Sequence, residues 1–202
     1  DRIEAATLLL AAAITRGSAT VTGVVPEHLD ATLRLLESAG FEIDACDDRV
    51  ALRTTGLLRP VDVTARPYPG VASDVQAQWM ALLSLAAGRS TIRDRVFPGR
   101  WMHAAELGRL GARVEVRGDR AAVAGVERLA GARVRATDLR ASAALVLAGL
   151  AAQGETIVAG VDHLDRGYQR LDRKLVRLGA DVQRVPAESL ESRAPVGYPG
   201  GA

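Results

Sequence analysis

Apolar and polar residues follow a plan that occurs three times along this chain. In each copy an acidic residue precedes a stretch rich in alanine and leucine, and this stretch ends at a glycine. A second helical stretch then ends at another glycine before a short β-prone segment. The copies start at Asp1, Asp74 and Asp138, and their two glycines are separated by 23, 23 and 25 residues. Such a period is typical of one domain built from repeated supersecondary units.

The hydrophobic periodicity predicts a helix, a strand, a second helix and further strands in each unit. In the first unit we predict helix 1–15, strand 19–24, helix 26–39 and strands 41–45 and 49–53 around the turn Asp47-Asp48. Prolines and glycines interrupt residues 54–73, where VDVTARPYPG is predicted to be a short strand that leads into a rigid loop.

The second and third units repeat the order of the first. Their predicted elements are helix 74–87, strand 90–96, helix 100–110, hairpin 112–125, linking strand 132–138, helix 138–152, strand 155–161 and helix 166–178, with a β-prone strip after Gly179. The segment from Pro186 to Ala202 shows no periodicity, so we expect a loosely held tail.

These elements predict a mixed α/β (α+β) fold, with a single domain over residues 1–185 and units at about 1–65, 66–135 and 136–185. The stretch ATLLLAAAI is apolar nearly all round, which is typical of a helix that is buried on every side. We therefore expect the alanine-rich helices to pack inside and the sheets to lie outside. The alternative is a two-layer domain with its helices on the solvent side. The three repeated helix N-termini are expected at one end of the domain, each a potential anion site.

Composition narrows the classes of partner. The chain has 202 residues, of which 48% are hydrophobic and only 3% aromatic. So few rings argue against a platform on which nucleic-acid bases stack. The 26 basic and 24 acidic residues leave a net charge of only +2, so a polyanion is not an expected partner. No nucleic-acid partner is predicted.

Cysteine content and hydropathy indicate the cellular compartment in which the protein is expected. Cys46 is the only cysteine, so an intrachain disulfide is impossible and a cytoplasmic protein is expected. No apolar run reaches the ~18 residues of a membrane span, so no membrane partner is expected. The chain begins at Asp1 within a helical unit and shows no signal peptide there. We expect it to be part of a longer protein.

Asp74 is the first candidate for chemistry, because it follows the proline-containing loop RPYPGVAS and opens a helix. An aspartate at this position is most often an N-cap. Ser73 offers a competing cap, however, and the two prolines fix the approach of the chain more rigidly than capping requires. A carboxylate held in a cleft in this way is able to act as a general base toward a substrate hydroxyl.

Several arginines lie at the starts of predicted helices. The helix macrodipole disfavours a cation in the first turn, yet Arg2 and Arg140 occupy that position beside Asp1 and Asp138. An ion pair with the adjacent acid is the favoured interpretation for Arg2. For Arg140 an ion pair and an anion-binding role remain equally open. Arg100 and Arg166 follow strands at equivalent places in two units, where a surface arginine and a ligand-binding arginine are equally open.

The remaining motifs of common enzyme classes are absent from the sequence. His28, His103 and His163 lack metal-ligand spacing, and no phosphate-binding loop, dinucleotide fingerprint or nucleophile elbow occurs. We expect neither a metal nor another cofactor. The residues alone therefore predict an α/β repeat domain with an anion-binding face and one candidate base.

Five segments, taken in order, resemble the enolpyruvyl transferases, and among them the UDP-N-acetylglucosamine 1-carboxyvinyltransferases. The segments are DRIEAAT (1–7), RPYPGVASDVQAQ (66–78), VFPGRWMHAAEL (96–107), ATDLRASAALVLAGLAAQG (136–154) and HLDRGYQRLDRKLVRLGA (163–180). The resemblance implies an inside-out α/β barrel of three β-α-β-α-β-β units. In this family two such domains enclose an active site at converging helix N-termini.

The resemblance also implies roles for residues of this chain. Asp74 matches the acid that contacts the sugar 3′-hydroxyl and deprotonates it. Val96 matches a position whose backbone contacts the UDP-sugar. The residues that match positions around phosphoenolpyruvate and the intermediate are Arg100, Asp138, Arg140 and Arg166. The implied partners are phosphoenolpyruvate, UDP-N-acetylglucosamine and a sister domain of the same enzyme, which acts in peptidoglycan synthesis.

The sequence departs from the family in ways that keep alternatives open. It contains no counterpart of the other domain, whose mobile loop carries the general acid, and Cys46 matches no catalytic cysteine. The strand that the family's N-terminus adds to this domain is expected to be missing, and the isolated chain is expected to be nearly inactive. VAS precedes Asp74 where FPT is more usual. A shikimate-type or secondary-metabolite enolpyruvyl transferase, or a non-catalytic binding domain, therefore remains an alternative.

Overall fold

The computed structural model describes residues 1–186 and 188–191. The helices are α1 (Arg2–Ile14), α2 (Asp30–Ala39), α3 (Gln76–Leu83), α4 (Met102–Arg109), α5 (Leu139–Ala151), α6 (Leu171–Arg177) and α7 (Glu188–Glu191). Short 3₁₀ turns at Pro26–Leu29, Ser73–Val75 and Val161–Arg166 precede α2, α3 and α6. The loosely held tail predicted for 186–202 falls mostly outside the described residues.

The strands pair into small sheets. They are β1 (Ser18–Thr22), β2 (Phe41–Cys46), β3 (Arg49–Thr54), β4 (Val63–Ala65), β5 (Arg89–Asp94), β6 (Arg113–Arg117), β7 (Arg120–Ala124), β8 (Leu129–Ala130), β9 (Arg133–Arg135), β10 (Ala152–Gln153) and β11 (Ile157–Ala159). One sheet has the order β1-β3-β2 and another the order β4-β5-β7-β6. The short pairs β8-β10 and β9-β11 are parallel and tie the third unit to the strands before it.

Helices α1, α3 and α5 form the centre of the domain and contact one another. Every residue of α3 is buried, and α1 and α5 are buried along most of their lengths. Their alanines bring the helix axes close, while Leu9, Leu10 and Leu145 fill the space between them. The buried position predicted for the alanine-rich helices is therefore observed. In the described part of the chain, no helix combines the length and apolarity that crossing a bilayer requires.

Two helix boundaries were predicted wrongly. The helix expected over 74–87 ends at Leu83, after which the NH groups of Leu85 and Ala86 donate to Leu82 O and Leu83 O in a tighter turn. The helix expected from Arg166 begins only at Leu171. Arg166 instead ends a 3₁₀ turn, and Arg170 adopts the left-handed conformation (φ +52°), which an α-helix cannot accommodate.

The third unit is shorter than predicted. In the first two units the strand after the second helix is one arm of a hairpin, β2-β3 or β6-β7. The β-prone strip after Gly179 forms no strand within the described residues. A strand needs a paired neighbour for its backbone groups, and residues 181–186 have no hairpin partner in the described part of the chain. The plan β-α-β-α-β-β is thus not complete in the third unit.

Candidate functional site

Asp74 lies between two arginines that come from different units. One carboxylate oxygen, Oδ2, is 3.1 Å from Nη2 of Arg140, and Oδ1 is 3.4 Å from Nη1 of Arg100. The Asp74 side chain retains 40% of its accessible surface, whereas Arg140 retains 17%. The carboxylate makes no hydrogen bond to the start of its own helix, so Asp74 is not an N-cap.

Asp94 holds the loops on both sides of this cluster. Its side chain is fully buried, and Oδ2 accepts a 2.5 Å hydrogen bond from the hydroxyl of Ser73. Oδ1 accepts the NH groups of Val96 (2.9 Å) and Phe97 (2.8 Å). One carboxylate therefore fixes both the residue before Asp74 and the turn that carries Val96. Because the Val96 NH is already engaged, its free backbone group is the carbonyl.

Arg100 is held by the loop that follows β5. Its guanidinium lies 4.1 Å from the centre of the Phe97 ring, a cation-π distance. Trp101 anchors the same loop, because its indole NH lies 2.7 Å from Pro98 O and 2.9 Å from Gly118 O. The Arg100 side chain is therefore fixed on one side by an aromatic ring and on the other by Asp74.

His103 lies in the core beneath this loop. It is 1% exposed, and burial, which disfavours the charged imidazolium, lowers its pKa to about 4. Its Nε2 lies 3.4 Å from the side-chain nitrogen of Gln76. The neutral imidazole accepts a hydrogen bond at this atom, since an amide nitrogen only donates. His103 thus supports α3 and α4 as a neutral core residue.

Asp138 and Arg140 have different tasks at the start of α5. The Asp138 side chain caps the helix, with Oδ1 accepting the NH groups of Arg140 (2.8 Å) and Ala141 (3.0 Å). Arg140 pairs with Asp74 rather than with the adjacent Asp138, so the ion pair with its neighbour is not observed. Its guanidinium also reaches the hydroxyl of Tyr168 (3.5 Å) and lies 5.8 Å from the Tyr168 ring centre.

Tyr168 belongs to a buried polar cluster to which all three units contribute. Its hydroxyl is 3.0 Å from Thr7 Oγ1 of α1 and 3.1 Å from the side-chain nitrogen of Gln78 of α3. The same Gln78 nitrogen donates to Asp74 O at 3.2 Å. The N-terminal parts of α1, α3 and α5 therefore lie near one another, because Thr7, Gln78 and Arg140 each reach the Tyr168 hydroxyl.

Two of the three helix starts are capped by their own aspartates. Asp1 caps α1 through the NH groups of Ile3 and Glu4, and Asp138 caps α5 in the same way. The expectation of three equivalent anion sites was therefore wrong, because two of the acids occupy the amides that a ligand would need. The start of α3 has no side-chain cap, and Asp74 projects from it toward the arginines.

Among the described residues, neither Arg166 nor Arg2 forms an ion pair with Asp74. Arg166 is exposed, and no hydrogen bond or ion pair to it is recorded among the described residues. Arg2 lies 5.1 Å from the Tyr68 ring centre. The ion pair predicted between Arg2 and a neighbouring acid does not form, because Glu4 pairs with Lys174 at 2.6 Å and Asp1 caps the helix.

The sequence did not reveal Asp94, Tyr168, Gln78 or Thr7 as parts of this cluster. Their roles depend on contacts between units that are distant in sequence, such as Thr7 with Tyr168. Within the described residues, no group of three or more His, Cys, Asp or Glu side chains is placed to hold a metal ion. The arrangement suits an anionic ligand, because two guanidiniums face a single carboxylate.

Comparison with known proteins identifies relatives over most of the chain. Residues 1–175 match the profile of the family EPSP synthase (3-phosphoshikimate 1-carboxyvinyltransferase). The UDP-N-acetylglucosamine 1-carboxyvinyltransferases of Chlorobium luteolum and Chlorobaculum parvum are 52% and 55% identical over 184 residues, which cover 91% of this chain and 43% of each relative. The chain therefore spans about half the length of these relatives.

Solved structures show the same likeness. The enolpyruvyl transferase NikO from Streptomyces tendae superposes with a TM-score of 0.81 and 37% identity, over 90% of this chain and 43% of that protein. EPSP synthase from Acinetobacter baumannii superposes with a TM-score of 0.63 over 84% of this chain and 43% of that protein. At 20% identity the second comparison concerns the fold alone.

Proposed function

This chain belongs to the EPSP synthase family of enolpyruvyl transferases, and we propose that it supplies one domain of a UDP-N-acetylglucosamine 1-carboxyvinyltransferase. The reaction transfers the enolpyruvyl group of phosphoenolpyruvate to the 3′-hydroxyl of the sugar, in peptidoglycan synthesis. Identity of 52–55% to relatives of that name supports this acceptor over others. In keeping with the single cysteine of the chain, Cys46, we place the reaction in the cytoplasm.

The observation that carries the proposal is the position of the Asp74 carboxylate. It begins a helix without capping it and lies within 3.4 Å of two guanidiniums from different units. An aspartate needed only for the fold would bond to its helix amides, as Asp138 does. Asp74 instead lies half-buried at a cationic site, where a hydroxyl can approach it.

The proposed chemistry matches these residue types. The sugar hydroxyl oxygen bonds to C2 of phosphoenolpyruvate while Asp74 takes the hydroxyl proton, and a general acid adds a proton to C3. The tetrahedral product then loses inorganic phosphate from C2 and a proton from C3, which restores the double bond. Arg100 and Arg140 offset the carboxylate and phosphate charges of phosphoenolpyruvate. These anionic groups compete with the Asp74 carboxylate for the two guanidiniums.

The other residues that match the family take supporting roles in this proposal. Val96 contacts the UDP-sugar through its backbone, and Arg166 moves toward phosphoenolpyruvate from its exposed position. Asp138 holds the start of α5, which carries Arg140. A sister domain of the same inside-out barrel fold closes the site and supplies the general acid. Relatives about twice the length of this chain support that second domain.

A second candidate is an enolpyruvyl transferase with another acceptor. The TM-score of 0.81 and 37% identity to NikO favour it over a shikimate-type enzyme, whose compared structure is 20% identical. The identity to the UDP-N-acetylglucosamine enzymes is higher still. A non-catalytic binding domain has no specific observation in its favour.

Ligand titration of the ¹⁵N-labelled chain, followed by NMR, tests the acceptor. We expect UDP-N-acetylglucosamine to shift the amide signals of Asp74, Val96 and Arg100, and shikimate 3-phosphate to leave them nearly unchanged. Arg140→Gln is expected to weaken the binding of phosphoenolpyruvate at least about tenfold, since a charge-assisted hydrogen bond contributes ~1.5–3 kcal/mol.

Arg34→Gln provides the matched control, because Arg34 is an exposed helical arginine that also pairs with an aspartate, Asp30. It is expected to leave binding unchanged. Stronger shifts with shikimate 3-phosphate, or shifts that avoid these three residues, would contradict the assignment of the acceptor.

A further inference from the structure

We propose that Tyr168 is a positioning residue that fixes the guanidinium of Arg140 through a hydrogen-bonded chain running between the three units. This inference rests on the proposed function, because it treats Arg140 as a ligand of the anionic substrate. Tyr168 itself is 2% exposed, so it acts through Arg140 rather than by touching substrate.

The donors and acceptors in the cluster give the chain a direction. The hydroxyl of Thr7 donates to Ile3 O at 2.8 Å, so its oxygen is left to accept. The hydroxyl of Tyr168, 3.0 Å away, therefore donates to Thr7. The Tyr168 oxygen is then free to accept from Arg140 at 3.5 Å, and it lies 3.1 Å from the side-chain nitrogen of Gln78, which is equally close to Thr7 Oγ1. A guanidinium can only donate, so this orientation suits it.

The same cluster reaches the other side of the Asp74–Arg140 pair. The Gln78 nitrogen that contacts Tyr168 also donates to Asp74 O at 3.2 Å. Arg140 and the backbone of Asp74 are thus tied to one buried point, while Asp74 Oδ2 and Arg140 Nη2 meet at 3.1 Å in the open cluster. Movement of Tyr168 would therefore disturb the base and its arginine together.

Stability alone does not account for this polar cluster. Gln78 is completely buried, and its Oε1 has no hydrogen-bond partner among the described residues. Leaving a buried acceptor unpaired costs ~1–3 kcal/mol, whereas an apolar side chain of similar size would pack beside α1 and α5 without that cost. The polar side chains of this cluster therefore orient Arg140 but lower the stability of the fold.

A fixed guanidinium favours binding because less side-chain freedom is lost when the ligand arrives. Ordering a long side chain costs ~0.5–1.5 kcal/mol, which corresponds to roughly a two- to tenfold change in affinity. Tyr168 removes most of that cost before phosphoenolpyruvate binds. The expected consequence of losing its hydroxyl is weaker binding of anions, with a smaller effect on the fold.

The test replaces Tyr168 with Phe in the complete chain, and two quantities are measured by NMR. The first is the order parameter of the Arg140 Nε–H group without ligand, which we expect to fall. The second is the affinity for inorganic phosphate followed at the Arg140 signal, which we expect to fall about three- to tenfold. Thr7→Val, which removes the acceptor for the Tyr168 hydroxyl, is expected to change both quantities in the same direction but less.

Ile14→Val is the matched control for general destabilisation. Ile14 is buried at the opposite end of α1, and this change typically costs ~0.5–1.5 kcal/mol. It is expected to leave the Arg140 order parameter unchanged. The proposal is overturned if Tyr168→Phe leaves the Arg140 order parameter unchanged, or if Ile14→Val lowers it equally. If the unaltered chain does not bind UDP-N-acetylglucosamine but Tyr168→Phe still lowers the Arg140 order parameter and the phosphate affinity, the proposed function alone is refuted.

Discussion

Two aspartates that open central helices behave differently at the residue scale. The Asp138 carboxylate accepts hydrogen bonds from the first amides of α5, whereas Asp74 leaves the start of α3 uncapped. The difference arises before each helix. Ser73 is held by the buried Asp94, and a 3₁₀ turn over Ser73–Val75 carries Asp74 toward Arg140. Local sequence could not distinguish these cases, because both residues follow a hydroxyl residue and precede an apolar helix.

His103 gives a prediction for the pH dependence of folding. Burial lowers its pKa to about 4 in the folded chain, from 6.5 when exposed. The unfolded chain therefore binds a proton on His103 between these values while the folded chain does not, so stability falls as the pH drops from 6.5 toward 4. We expect the free energy of unfolding to lose roughly 3 kcal/mol across this window through His103.

Denaturant unfolding at several pH values measures this loss. His103→Asn cannot titrate, so its unfolding free energy should fall by about 3 kcal/mol less than that of the unaltered chain between pH 7 and pH 4. Parallel profiles for the unaltered chain and His103→Asn would refute the assignment.

At the element scale, the contact between the end of β7 and the turn after α3 explains where α3 stops. The NH of Val126 donates to Ser84 O, and the NH of Gly125 donates to Gly88 O. A Cβ at Gly125 would lie 1.7 Å from Ala86 O, so only glycine permits this approach. Hydrophobic periodicity predicted a longer helix because it contains no information on such a neighbour.

Gly125→Ala is therefore expected to destabilise the fold by about 2–3 kcal/mol, since the backbone must move to admit the methyl group. Gly108→Ala is the matched control: Gly108 is exposed on α4, and nothing lies within 4 Å of its added Cβ. This control is expected to be neutral or to stabilise by up to ~1 kcal/mol, from helix propensity. Equal unfolding free energies for the two variants in denaturant titrations would contradict this account of the contact.

Periodicity and composition predicted the repeated units, the buried alanine-rich helices and the hairpins at β2-β3 and β6-β7. They could not predict the third unit correctly, because the strip after Gly179 has the composition of a strand but no described partner. The candidate site likewise contains residues that local sequence predicts and residues that it does not. Asp74, Arg100 and Arg140 follow from local motifs, whereas Tyr168 and Asp94 gain their roles only from contacts between units.

On the scale of the whole molecule, the repeats concentrate charge at one place. The N-terminal parts of α1, α3 and α5 come together at the Tyr168 hydroxyl, which Thr7, Gln78 and Arg140 each reach, and Asp74 lies beside that junction. Each unit alone would present one helix start and few ligand groups. Their convergence sets the Asp74 carboxylate, the proposed base, between two guanidiniums, which is the arrangement that the proposed transfer reaction requires.

The most direct test of this account is the single-turnover rate of a two-domain hybrid. In the hybrid, this chain replaces the matching region of the Chlorobaculum parvum relative, whose unaltered form is the activity reference. We predict that Asp74→Asn lowers the rate of phosphate release about 10²–10⁴-fold, while UDP-N-acetylglucosamine still binds. Asp44→Asn, which changes an exposed aspartate paired with Arg49, should have no effect. A rate for Asp74→Asn within threefold of the unaltered hybrid would contradict the proposed base.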